Sequence, residues 1–168
     1  SKSVLWKKIN KRLSKICDNE YCWLEQPFIS NKRELTDDYR PTMPNAWKKN
    51  KREWLTTSDI EKVMNQYMKK YDDFFFIGAV PIDFDKEMSA GMCVVDELCR
   101  IKINNLLKRG INQIGIVFNL DPHDKPGSHW VSFYGNLKKG KLHYFDSYGF
   151  KPPKEVKKLV DRLIEQGE

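Results

Sequence analysis

No apolar run in this chain approaches the ~18 residues of a membrane-spanning helix, so no segment reads as a span and no membrane partner is expected. The opening stretch "SKSVLWKKINKRLSKIC" also lacks the apolar core and small-residue site of a secretory leader. Cysteine is scarce. There are four, at positions 17, 22, 93 and 99, and none lies beyond residue 99. So thin a supply in a lysine-rich chain of 168 residues argues against a disulfide scaffold and predicts reduced thiols. The pairs Cys17-x4-Cys22 and Cys93-x5-Cys99 are looser than zinc modules use, and the three histidines are not spaced as ligands. No metal site and no cofactor are expected.

Repeats and low-complexity segments are absent too. What is present is a chain long enough for one real core, with 40% hydrophobic and 12% aromatic residues, which excludes disorder throughout. Thirty Lys and Arg against 23 Asp and Glu leave a formal charge of +7. The basic residues are scattered, and the one dense run is "KKNKRE" at 48–53. That pattern reads first as a solvated basic face; contact with nucleic acid is the weaker alternative.

Residues 4–16 repeat Leu5, Ile9, Leu13 and Ile16 between Lys and Arg, which predicts an amphipathic helix with one buried stripe. The stretch 17–47 carries Pro27, Pro41 and Pro44 without a sustained period and reads as irregular, pinned by Trp23, Phe28 and Trp47. Ser58 and Glu61 stand at capping-box spacing before a helix whose inner face is Ile60, Val63, Met64, Tyr67 and Met68. "FFFIGAVPIDF" at 74–84 reads as a buried strand ending at Pro81, and 94–108 as a second helix stopped by Gly110.

From residue 111 the period changes to that of strands: "INQIGIVFNL", then "HWVSFYGNL" and "KLHYFDSYGF" joined at the turn "KKGK". A proline-started helix closes the chain, with Val156, Leu159, Val160, Leu163 and Ile164 on its inner face. The class is α+β: N-terminal helices, a small antiparallel sheet, and a C-terminal helix. Two regions are expected, an N-terminal extension over 1–46 and a core over 47–168.

The chemistry lies on the last hairpin. His129 opens one strand and Asp146 ends the next, and counting inward from the turn brings both to the same end of the ladder. A carboxylate accepting from one imidazole nitrogen fixes the tautomer and aims the other nitrogen outward to activate a nucleophile. Beside a thiol, such an imidazolium lowers the thiol pKa and favours the thiolate. Taken alone, a strand His beside a strand Asp is more often a structural hydrogen bond. His123 reads as an ordinary exposed turn residue, and His143 lacks a comparable carboxylate; neither is assigned a role.

"GSHWVSFYGNLKKGKLHYFDSYGFKPP" resembles the His-Trp … Phe-Asp-Ser … Pro-Pro stretch of clan CE cysteine proteases, and "REWLTTSDIEKVM" resembles the Trp-Leu segment upstream of their catalytic His. That group includes SUMO proteases, adenovirus proteinase and polyprotein-processing proteases of large DNA viruses. "RPTMPNAWKKNKREWLTTSDIEKVMNQYMKKYDDFFFIGAVPIDF" and "GIVFNLDPHDKPGSHW" look most like the giant-virus and African swine fever virus-type branch. The resemblance spans roughly residues 40–155 and implies a papain-like cysteine-protease fold. It implies catalytic roles for His129 as general base and Asp146 as its orienting carboxylate. It also implies that Trp54 and Trp130 bind substrate, enclosing a slot that admits backbone without Cβ, so that Gly-Gly fits.

The resemblance breaks at the nucleophile. Family members carry a Cys-Gly at the start of a buried helix after the Asp, with a Gln shortly before it for the oxyanion hole. Here no cysteine follows Asp146, and the single downstream glutamine is Gln166. Cys93 precedes a helix and would match the chain order of papain-like enzymes, but it reads better as a buried thiol; Cys17 and Cys22 are weaker candidates.

The leading expectation is the N-terminal portion of a viral thiol endopeptidase, inactive alone and completed by a C-terminal segment bearing Cys and Gln. It would cleave after Gly-Gly in structural precursors during virion maturation, acting in the virion and host cytoplasm. The alternative is an inactive pseudoprotease that grips glycine-rich tails or a ubiquitin-like protein.

Overall fold

In a computed structural model the described residues are 2–17, 22–23, 26–30, 49–50 and 52–167. The chain forms two compact units, residues 1–53 and 54–168.

In the first unit, α1 (Lys2–Leu13) is the amphipathic helix anticipated from its period. Its apolar stripe, expected to be buried, is instead open: Leu5, Ile9 and Ile16 are all exposed. Cys17 and Cys22 are paired with each other. The indole of Trp23 donates to the Cys17 carbonyl at 2.8 Å, and Gln26 Nε2 donates to the Cys22 carbonyl at 2.9 Å. Trp23 is buried whereas Phe28 is exposed, and Trp47 lies outside the described residues.

The second unit carries the sheet. Helix α2 (Thr57–Lys70) is capped two residues earlier than the serine at 58 implied. Thr56 Oγ1 accepts from Asp59 N at 3.2 Å, and Asp59 Oδ2 accepts from Thr56 N at 2.9 Å. Asp serves in the box as well as Glu because it needs only one carboxylate oxygen within reach of the cap N–H. Ile60 is buried and α2 packs on β1 (Phe74–Pro81).

The expected helix over 94–108 is two short helices, α3 (Asp96–Cys99) and α4 (Ile103–Lys108). Between them Lys102 is extended, and Gln166 from the far end of the chain satisfies the freed backbone. Its Oε1 accepts from Ile103 N at 3.0 Å and its Nε2 donates to the Ile101 carbonyl at 3.2 Å. Gly110, with φ of 82°, ends α4 as expected, and Ile111 N donates back to the Leu106 carbonyl at 3.0 Å.

The strands β2 (Gln113–Asn119), β3 (Trp130–Asn136) and β4 (Lys141–Phe145) form the expected antiparallel meander. The sheet as a whole is mixed rather than purely antiparallel, because β1 adds parallel to β2 at the edge, in the order β1-β2-β3-β4. Pro81, which donates no ladder hydrogen bond, is tolerated at the end of that edge strand.

Helix α5 (Lys154–Glu165) covers one face of the sheet. Its Val156, Leu159 and Leu163 join Ile114, Ile116, Phe118, Val131, Phe133 and Leu98 in one core. Ile164, expected on the inner face, is exposed. Arg162 fastens the helix by a bidentate pair to Asp85 at 2.9 and 3.1 Å. The α+β class stands.

Candidate active site

The connections after β1, after β2 and after β4 all open at one end of the sheet, where β3 begins. Alternation along the strands decides what faces the core there. His129 shares parity with Val131 and Phe133, and Asp146 shares it with Leu142 and Tyr144, so both continue the α5-facing side of the sheet. The hairpin register pairs Ser132 with Phe145, which sets the two residues next to one another beyond the last paired rung.

His129 Nε2 lies 2.7 Å from Asp146 Oδ1. The carboxylate is almost sealed, its side chain 1% exposed, while the imidazole keeps 19% of its surface. The pair is therefore buttressed from within and reachable from without. Asp146 Oδ1 also accepts from Tyr148 N at 2.9 Å, and Gly149 N closes a turn on the Asp146 carbonyl at 2.9 Å. The His129 bond, then the Tyr148 N–H, hold the Asp146 carboxyl below its ordinary range, against the opposing push of burial. Asp146 is consequently an acceptor at neutral pH, and Nε2 carries the proton between them. Nδ1 is the ring nitrogen left uncommitted, and no described residue hydrogen-bonds to it.

Asp146 Oδ2 is buried with no hydrogen-bond partner among the described residues. The Tyr148 ring leans on the imidazole at 4.7 Å between centroids, and Tyr148 and Phe150 are both exposed beside it. Burial, then the nearby Asp146 charge, push the Tyr144 hydroxyl pKa up, so Tyr144 stays a neutral neighbour.

Of the two tryptophans, Trp130 is half-buried, and its Nε1 donates to the Leu55 carbonyl at 3.0 Å. That bond ties the segment holding Trp54 to the strand that begins after His129. Trp54 itself is 58% exposed, which is unlike a core residue.

Elsewhere in this unit other candidate side chains are already engaged. Cys93 is not a free thiol: it is paired with Cys99, and no cysteine of the chain is left free. Gln166 is likewise engaged, its amide occupied by the α3–α4 connection. His123 is the exposed turn residue expected, but it is also anchored: its Nδ1 lies 2.7 Å from Asp83 Oδ2 and its backbone N donates to Asp83 Oδ1 at 2.8 Å. Burial pushes the Asp83 carboxyl up, but the His123 side-chain and backbone bonds outweigh it and leave it below the ordinary range. Sequence reasoning missed this pair because Asp83 and His123 are 40 residues apart and meet only through the parallel pairing of β1 with β2. His143 is exposed and stacks near Tyr134 at 6.0 Å, away from Asp146. Among the described residues no cluster of His, Cys, Asp or Glu could hold a metal ion, and no helix is long and apolar enough to cross a membrane.

No protein-family model matches this chain. Individual proteins do. A relative from Acanthamoeba polyphaga mimivirus, provisionally named thiol protease R355, is 35% identical over 98% of this chain and 53% of its own length. The protein named cysteine protease S273R in the Tick/Malawi isolate of African swine fever virus is 26% identical over 98% of this chain and 68% of its own. The protein of the Warthog/Namibia isolate, named SUMO-1 cysteine protease S273R, matches to the same extent. The crystal structure of the African swine fever virus pS273R protease superposes with a TM-score of 0.54 at 20% identity, covering 95% of this chain and 66% of that one. It shows a shared fold. The chain thus spans about half the length of the mimivirus relative and about two thirds of the African swine fever virus proteins.

Proposed function

We propose that this chain, whose homologues are thiol proteases of the giant-virus and African swine fever virus type, supplies the base-bearing portion of a cysteine endopeptidase. The observation that carries the reading is the 2.7 Å bond between His129 Nε2 and Asp146 Oδ1. It commits one ring nitrogen to a buried carboxylate and leaves Nδ1 uncommitted on a ring that keeps 19% of its surface. In the proposed reaction Nδ1 takes the proton of a thiol, Asp146 stabilises the imidazolium, and the thiolate attacks the scissile carbonyl. The imidazolium then returns the proton to the leaving amine.

The thiol and the oxyanion donor come, in this proposal, from polypeptide outside these 168 residues. Support comes from the paired state of all four cysteines, from the engagement of Gln166, and from the greater length of the relatives. These residues by themselves are accordingly proposed to be inactive.

For substrate we propose a polypeptide with Gly-Gly at the cleavage point, in structural precursors processed during virion maturation, within virions and host cytoplasm. Trp130 and the exposed Trp54, on segments joined through the Leu55 carbonyl, would flank the backbone and leave no space for Cβ atoms. The test is a peptide series offered to a polypeptide that extends this chain and carries a downstream Cys. Cleavage after Gly-Gly, blocked by alkylation and by His129→Ala, is expected; equal cleavage after Ala-Ala overturns the specificity, and no cleavage overturns the enzyme.

The paired cysteines favour one second reading, a binding module for glycine-rich tails. It predicts that the same peptides bind to this chain, with a change in tryptophan fluorescence, and are never cut by the extended protein.

A further inference from the structure

The imidazole sits directly after a loop, residues 120–128, that has no regular structure of its own. A base must be held to a fraction of an ångström, since ~1 Å of misplacement can cost about a hundredfold in rate. Something must therefore fix that loop, and the contacts converge on Asn119.

We propose that Asn119 is a positioning residue for His129, acting through the backbone of Ser128; this rests on the reading of His129 as the base. Asn119 is the last residue of β2 and lies opposite Trp130 in the β2–β3 register. Its Oδ1 accepts from Asp121 N at 3.0 Å, where the loop leaves, and from Ser128 N at 3.3 Å, where it returns. One carbonyl oxygen thus closes the loop on itself immediately before the imidazole. The amide Nδ2 packs on Gly127 so closely that a Cβ there would collide with it, and Gly127 has φ of 100°, which side-chain-bearing residues rarely adopt.

Two further bonds complete the closure: Ser128 Oγ donates to Asp121 Oδ1 at 2.9 Å, and Leu120 N donates to the His129 carbonyl at 2.9 Å. The loop tip is fastened separately by His123 on Asp83. An asparagine suits the position. It is short, neutral beside Asp121, and presents an oxygen toward two N–H donors and an NH2 toward the glycine.

The test follows the proton on His129 Nε2 by NMR in the full 168-residue chain. Held against a carboxylate, that proton gives a far-downfield, slowly exchanging resonance, assigned by its loss in Asp146→Ala. Asn119→Ala and Gly127→Ala are each expected to shift or broaden it and to speed its exchange at least about tenfold through local opening. Gln166→Ala lowers overall stability far from the loop and is expected to leave the resonance in place. A folded Asn119→Ala chain whose resonance and exchange match the parent within about twofold overturns the proposal. Should Asn119→Ala not fold, Gly127→Ala is judged by the same criterion. Because no substrate is present, a failure to find proteolysis would sink the enzyme reading while this outcome stood by itself.

Discussion

His129 and Asp146, 17 residues apart in the chain, meet at 2.7 Å with the carboxylate inside and the imidazole edge at the surface. The order of burial matters. A sealed carboxylate whose Oδ2 has no hydrogen-bond partner among the described residues depends for its compensation on the imidazole and the Tyr148 N–H, so the pair behaves as a unit and not as two independent side chains.

Removing either member therefore has different consequences in the extended, thiol-bearing protein proposed above. His129→Ala removes the base and is expected to cost about 10²–10⁴ in kcat. Asp146→Asn keeps the shape but presents an NH2 or a weaker acceptor to Nε2, so it is expected to lower kcat with little change in KM. Steady-state kinetics on a Gly-Gly peptide decide this, and parental kcat in either variant would remove the dyad from the mechanism.

The stabilising effect of the pair should vanish in acid. Asp146 titrates below its usual value of 3.8 because the folded chain prefers the carboxylate. Its contribution is then intact above the unfolded pKa and lost as pH falls through the lower, folded one. Urea midpoints of the parent chain and of Asp146→Asn, measured from neutral pH to about pH 2, are expected to converge on the acid side of 3.8. A gap that persists unchanged to the lowest pH would contradict the assignment.

The cysteines should be silent. Native protein is expected to show no reactive thiol until a reductant is added, after which unfolded chain titrates four. Cys93→Ser and Cys99→Ser should leave the rate of the extended enzyme unchanged. Rapid alkylation of Cys93 in unreduced protein, with loss of activity, would reinstate it as a nucleophile.

Gln166 should matter for stability and not for chemistry. Its amide serves Ile101 and Ile103, and Gln166→Ala is expected to cost about 1–3 kcal/mol by leaving part-buried backbone groups unpaired. Denaturant unfolding measures this. A large fall in kcat without loss of stability would indicate an oxyanion role instead.

Trp130→Phe keeps an aromatic ring, smaller than the indole, and deletes its one donor. The loss of the bond to the Leu55 carbonyl is expected to cost about 0.5–1.5 kcal/mol and to loosen the segment bearing Trp54. Hydrogen exchange of the amides at 54–56 is the measurement; unchanged protection there would show that the segment is held by other contacts.

Much of this was legible in the chain because it depends on near neighbours. The hairpin around "KKGK", the stop at Gly110, the inner face of α5 through Val156, Leu159 and Leu163, and the meeting of His129 with Asp146 all follow from period, turn chemistry and counting. The misses share a cause. The parallel seat of β1 beside β2, the division of the 94–108 segment by Gln166, the clip of His123 to Asp83 and the pairing of Cys93 with Cys99 each join groups whose proximity no local period announces. Even the cap of α2 moved by two residues, because Thr56–Asp59 and Ser58–Glu61 are alternative boxes in one sequence, and the folded chain forms the first.

By itself the sequence determined alternation and turns, and with them the coincidence of an imidazole and a carboxylate at one end of a two-stranded ladder. Only the tertiary structure decided that the carboxylate would be sealed and the ring left open, that the thiols would be spent on each other, and that Asn119 would close the loop before His129. Strand parity is a property of consecutive residues, whereas burial and loop closure depend on distant segments arriving at the same place.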